Sequence, residues 1–185
     1  MTVLRYVVLG IAAAAVLGAL ALQMMLRWYR SRTGFGGDRR SGARIVGSDT
    51  GVAAPVLLRD PRLGLRGRPD YLLALEIQGR PALVPLELKP GRRSRRIYES
   101  DALQVAAYLV ALRATAPDAA APFGYLRYAT GTYRVTLTAA LAERVAAIVG
   151  AIRAGREASE VHRSHAIRGR CTACAVRPHC DEALG

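Results

Sequence analysis

From Tyr6 to Leu26 the chain reads YVVLGIAAAAVLGALALQMML, with no charged side chain and with Gln23 as its one strongly polar group. At about 1.5 Å of rise per residue, a helix of this length crosses a hydrocarbon core of roughly 30 Å. The segment is hydrophobic all round, which argues against a core helix that buries a single stripe. Arg5 precedes it, whereas Arg27, Arg30, Arg32, Arg39 and Arg40 follow. The positive-inside rule places the Arg-rich side in the cytoplasm, and Trp28 and Tyr29 suit an interfacial belt. The tripeptide Ala19-Leu20-Ala21 also admits a cleaved signal peptide, but the apolar run continues past it. The expectation is a single-pass anchor over residues 1–29 at the cell membrane, with the C-terminal part cytoplasmic.

Residues 30–52 are rich in Gly, Ser and Arg without apolar periodicity and read as a tether. The remainder, 53–185, is long enough for one compact domain. Apolar residues make up 51% of the chain, which excludes intrinsic disorder. A net charge of +13 calls for a polyanionic partner, nucleic acid or an acidic membrane surface. Of the 27 basic residues, 26 are Arg and one is Lys, at Lys89. An ammonium is a compact charge that a guanidinium does not mimic, so that single Lys marks a position of interest.

Asp70 to Ile77 and Ala82 to Lys89 are β-type runs joined by the turn Gln78-Gly79-Arg80-Pro81, a hairpin. Pro90-Gly91 ends the second strand, and the basic loop Arg92-Arg93-Ser94-Arg95-Arg96 follows. Glu99 to Thr115 is helical, with Ser100 or Asp101 available as cap. Phe123–Ala129 and Tyr133–Leu137 form a second strand pair, and Thr138 caps a further helix. The order gives an α/β domain with a small central sheet flanked by helices.

Alternation along the second strand sends Glu87 and Lys89 to one face and Leu86 and Leu88 to the packed one. Hairpin pairing brings Asp70 near Glu87, and two converging carboxylates make a hard-oxygen site for Mg²⁺ or Mn²⁺. An adjacent ammonium can position a water or stabilise developing charge. The same residues also admit a plain surface strand with a Glu–Lys pair. Gln104 and Tyr108 lie four apart on one helix face, where an amide and a phenol can serve the carboxylates or a phosphate. Equally, Gln104 can sit on an exposed stripe with Tyr108 as ordinary packing. Arg92, Arg93, Arg95 and Arg96 form a DNA-binding candidate directly after Lys89.

GRPDYLL, VPLELK and ESDALQVAAY, in that order, resemble the PD-(D/E)XK nuclease superfamily. The likeness extends to its RecB-like exonucleases, including the CRISPR-associated adaptation type with C-terminal cysteines. The resemblance implies a restriction-endonuclease-like fold, with Asp70 and Glu87 as metal ligands, Lys89 as catalytic lysine, and Gln104 and Tyr108 completing the motif. It also implies hydrolysis of DNA, from single-stranded ends. Cys171, Cys174 and Cys180 are spaced C-x2-C-x5-C, and clustered thiols suggest a metal. In the resembling exonucleases such a trio belongs to an iron–sulfur cluster whose first Cys lies upstream, and here no Cys precedes Cys171. A His (His162, His165 or His179), another chain or a Zn²⁺ knuckle are the alternatives, as is loss of the cluster. The upstream His of those nucleases is also missing, and Asp60 is the nearest upstream oxygen donor. The reading is a membrane-anchored nuclease, with protein partners in DNA processing or defence. Its rivals are a catalytically weak DNA-binding scaffold of the same fold and a Zn²⁺-stabilised interaction module.

Overall fold

The computed structural model describes Leu20 and residues 43–185. The expected membrane span over Tyr6–Leu26 thus lies outside the described residues, Leu20 excepted, as does the tether up to residue 42. Among the described residues no helix is long and apolar enough to cross a membrane.

Two compact units divide the chain, Met1–Val145 and Ala146–Gly185. The first is a mixed five-stranded sheet in the order β1-β4-β5-β6-β7, plus a separate two-stranded ribbon of β2 and β3. The strands are β1 (Arg44–Ser48), β2 (Leu58–Asp60), β3 (Leu65–Gly67), β4 (Tyr71–Ile77), β5 (Arg80–Lys89), β6 (Phe123–Tyr128) and β7 (Gly131–Thr136). Helix α1 (Glu99–Thr115) connects β5 to its parallel neighbour β6, the crossover that a parallel pair requires. Helix α2 (Ala139–Glu157) follows β7, and Thr138 Oγ1 accepts the Leu141 N–H at 3.2 Å as its cap.

The β4–β5 hairpin forms as the sequence predicts. Gln78 and Gly79 both take positive φ, 53° and 74°, which closes a two-residue turn between Ile77 and Arg80. That turn fixes the register, setting Tyr71 opposite Leu86 and Leu72 opposite Pro85. One sheet face carries Tyr71, Leu73, Val84, Leu86 and Phe123. Against the other face packs α1, with Val105 and Leu109 meeting Leu126 and Tyr128, and with Tyr108 and Leu112 meeting Leu58 and Leu72.

Several expectations change. The tether yields its last part to the fold, because Arg44–Ser48 pairs antiparallel with β4. Its Ile45-Val46 pair is too short to stand out among Gly, Ser and Arg, yet it finds a ready-made sheet edge. The single domain over 53–185 is two units; within α2 the one fully buried side chain is Val145, so no core extends along its later turns. Neither Ser100 nor Asp101 caps α1. The N-cap is Tyr98, without a side-chain cap bond, because Asp101 is buried and engaged elsewhere.

In the second unit, α3 (Arg168–Thr172) and a 3₁₀ turn (Arg177–His179) carry the cysteines. Glu182 ties this unit together: its carboxylate accepts the Arg163 N–H and meets His162 Nδ1 at 2.8 Å. The Arg163 backbone bond and the His162 contact hold the Glu182 carboxyl below its ordinary value.

Candidate active site

Glu87 is 5% exposed, a carboxylate on the sheet face that α1 covers. Alternation correctly separates Glu87 from Leu86, but both faces of β5 are packed here, since Val84, Pro85, Leu86 and Glu87 are all buried. Two donors converge on one oxygen. Lys89 Nζ donates to Glu87 Oε1 at 2.8 Å, and Gln104 Nε2 donates to the same atom at 2.7 Å. Gln104 Nε2 also lies 2.9 Å from the Tyr108 hydroxyl. The helical four-residue spacing thus serves the site, and Gln104 is no exposed stripe residue.

Asp70 stands just before β4, where the register brings it level with Glu87. Its Oδ2 accepts the Leu88 N–H at 2.7 Å, which fixes the carboxylate against the strand that carries Glu87 and Lys89. Burial pushes the Glu87 carboxyl above its ordinary value; the Lys89 hydrogen bond opposes this and the negative Asp70 adds to it. Burial likewise pushes the Tyr108 phenol up to about 12. A buried Glu87 carboxyl that burial holds above its ordinary value, with the Asp70 carboxylate beside it, is a site that a divalent cation relieves. Among the described residues no group of three or more His, Cys, Asp or Glu side chains is arranged to hold a metal. Two carboxylates nevertheless fit Mg²⁺ or Mn²⁺, hard ions that keep several waters when one or two carboxylates bind them.

Gly67 supports the site from outside the motif residues. A Cβ placed there would lie 2.7 Å and 2.8 Å from two ring carbons of Tyr108, so the ring rests directly on the β3 backbone. Gly67→Ala is expected to push the phenol off Gln104 and lower any activity that uses it by about tenfold or more, a loss typical of slight misplacement at a site. In a Tyr108→Phe background, which already lacks the hydroxyl, the same substitution should leave activity unchanged while still lowering the melting temperature. Equal activity losses in both backgrounds would exclude this route.

The basic loop is not uniformly free. Arg92 Nε lies 3.4 Å from Asp101 Oδ2, and its guanidinium covers the Tyr98 ring at 4.6 Å. All four Arg side chains are exposed, but Arg92 is tied to the framework, whereas Arg93, Arg95 and Arg96 have no acidic partner among the ion pairs of the described residues. Sequence reasoning offered Asp101 only as a helix cap. It is 4% exposed and accepts the Tyr128 hydroxyl at 2.7 Å, while that hydroxyl accepts the Tyr98 N–H at 3.1 Å. An acidic residue at the third position of an apolar helix was the available signal. Asp60 is also buried, but its Oδ1 accepts the Arg62 and Leu63 N–H groups in its own turn, a structural duty.

Cys171, Cys174 and Cys180 are free thiols that line one cavity with His162 and His165. Among the described residues they form no group arranged to hold a metal. The cavity, about 240 Å³, is far wider than one ion, and only Cys171 is fully buried.

No curated protein matches the chain. A family model described as the PD-(D/E)XK nuclease superfamily matches residues 12–181, a span that includes all five clustered residues. Lys89 and Gln104 meet on the buried Glu87 carboxylate, with Tyr108 against Gln104 and Asp70 on the Leu88 N–H, and by the match over most of its length the chain belongs to the PD-(D/E)XK nuclease superfamily.

Proposed function

We propose that this chain is a membrane-anchored, Mg²⁺- or Mn²⁺-dependent deoxyribonuclease acting on single-stranded ends. The observation that carries the reading is the double donation to Glu87 Oε1 by Lys89 and Gln104, beside an Asp70 locked to the Leu88 N–H. Asp70 and Glu87 would hold the metal, which when bound neutralises phosphate charge and makes water a better nucleophile.

The chain's own groups do the rest. Gln104 fixes the orientation of Glu87 from the helix side, so the carboxylate does not swing when substrate enters. Lys89 uses one N–H on Glu87 and has two more, which can orient the attacking water and meet the charge that grows on the phosphoryl oxygens. Water oxygen bonds to phosphorus and releases a proton to solvent as the bond to the leaving sugar oxygen breaks, and that leaving oxygen takes up a proton from solvent. Tyr108, with its phenol at about 12, stays protonated at neutral pH and acts as a donor, never as a base.

End-labelled single-stranded DNA incubated with the detergent-solubilised chain should be shortened in Mg²⁺ or Mn²⁺ and left intact in EDTA. Intact DNA in both metals, with DNA binding retained, favours the rival scaffold reading, which the two-carboxylate shell also suits. Resistance of an oligonucleotide circle would support action at ends. Recovery of the chain in the membrane fraction after alkaline extraction would support the anchor over Tyr6–Leu26. For the C-terminal unit the reading extends to a thiolate site for Zn²⁺ or an iron–sulfur cluster. It requires Cys171, Cys174 and Cys180 to close inward around their shared cavity. Stoichiometric zinc or iron after anaerobic purification supports it, and a metal-free chain removes it.

A further inference from the structure

The loop between Lys89 and α1 is held far more firmly than a solvated run of cations requires. The Arg92 carbonyl accepts the Ala129 N–H at 3.0 Å, and the Ser94 carbonyl accepts hydroxyl bonds from Thr130 at 2.6 Å and Tyr133 at 3.1 Å. Within the loop, Ser94 Oγ donates to the Arg96 carbonyl at 2.8 Å and accepts the Arg96 N–H at 3.0 Å. At its far end the Tyr98 N–H is tied through the Tyr128 hydroxyl to buried Asp101.

On this frame the chain displays Ile97 and Tyr98, 37% and 45% exposed. Among the described residues Tyr98 is the one aromatic in the set of exposed large apolar side chains. An exposed aromatic in a flexible loop would be unremarked surface. Here the ring is braced, with the Arg92 guanidinium over one face and Tyr128 tilted against it at 6.2 Å. Beside it stand Arg93, Arg95 and Arg96, none of which has an acidic partner among the ion pairs of the described residues.

We propose that Tyr98 is a stacking platform for a base of single-stranded DNA whose phosphates lie against Arg93, Arg95 and Arg96. The inference rests on the nuclease reading in one respect: the strand it holds is the one delivered to Glu87 and Lys89. A rigid ring beside cations is the arrangement that binds single strands, because an unstacked base offers a π-face and its backbone offers phosphates. A duplex keeps its base faces covered and gains only from the cations. Pre-bracing the ring removes the ordering cost that a free tyrosine would incur on binding.

Fluorescence anisotropy with the detergent-solubilised full chain in EDTA, using a labelled oligothymidylate and a duplex of equal length, tests this. Tyr98→Ala should weaken oligothymidylate binding about tenfold, the scale of losing one stacked base, and leave duplex binding and the salt dependence unchanged. Tyr98→Phe should keep wild-type affinity. Replacing Arg93, Arg95 and Arg96 together by Ala should weaken both ligands and flatten the salt slope by about 0.7 per lost phosphate contact on the single strand. Unchanged oligothymidylate affinity in Tyr98→Ala overturns the platform, as does an equal loss on both ligands or a wild type that binds neither. A chain that binds single strands through Tyr98 yet never cuts them with Mg²⁺ or Mn²⁺ upholds the platform and removes the nuclease reading.

Discussion

Lys89→Arg is expected to lower the proposed metal-dependent DNA cleavage about as far as Lys89→Ala, roughly 10²–10³-fold, the scale seen when a single preorganised donor is removed from a reacting oxyanion. Charge is conserved in the first variant, so a site that needs only a positive potential would lose little. The geometry asks for more. Nζ sits 2.8 Å from Glu87 Oε1, with the side chain 27% exposed, and that same oxygen is 2.7 Å from Gln104. A planar guanidinium cannot approach Oε1 at that distance and also keep a donor on the water without displacing Gln104 or Glu87. In a chain that otherwise uses Arg at 26 of its 27 basic positions, the ammonium stands where a fork would be too broad. Single-turnover cleavage rates of the two variants, measured with DNA binding as a control, check this. A Lys89→Arg protein with near wild-type rate would show that Lys89 supplies potential alone.

Much of this site is legible before any coordinates. Gln78-Gly79 between two β-type runs forces a hairpin, and the hairpin alone brings Asp70 to Glu87. Glu99 to Thr115 reads as helix with the bounds it has, and four-residue spacing then aligns Gln104 with Tyr108. Long-range pairing is what local pattern does not carry. Strand β1 exists because β4 has an open edge, and the ribbon β2–β3 exists because Leu58 and Thr115 give it a place on α1. Strict alternation suggested one open face on β5, whereas a strand in the middle of a mixed sheet is covered on both sides. Buried acids were the hardest to place. Asp101 and Arg92 are nine residues apart, and only the fold of the loop between them makes one a framework for the other. The cysteine spacing suggested convergence, but spacing in a loop sets no distance between sulfurs.

Glu87→Gln should abolish most cleavage, again by about 10²–10³-fold, while making the metal-free protein more stable at neutral pH. The two effects separate function from folding. Burial, with the negative Asp70, raises the Glu87 carboxyl above its reference value of 4.5 despite the Lys89 hydrogen bond. A group whose folded-state value is raised contributes its stability in full below the unfolded value and loses it as pH climbs through the folded one. At neutral pH the ionised Glu87 is therefore a net cost to the fold. Gln removes the charge and keeps a carbonyl oxygen for Gln104, and Lys89, partly exposed, can turn to water. The expected melting curves, in EDTA, place Glu87→Gln above wild type at pH 7, with the gap narrowing toward pH 4 as the native carboxyl takes up its proton. Added Mn²⁺ should raise the wild-type midpoint and narrow the gap at pH 7, because the cation offsets the charge that Gln lacks. A variant less stable than wild type at pH 7 would mean that the Lys89 and Gln104 bonds outweigh burial, making Glu87 a structural residue of the fold.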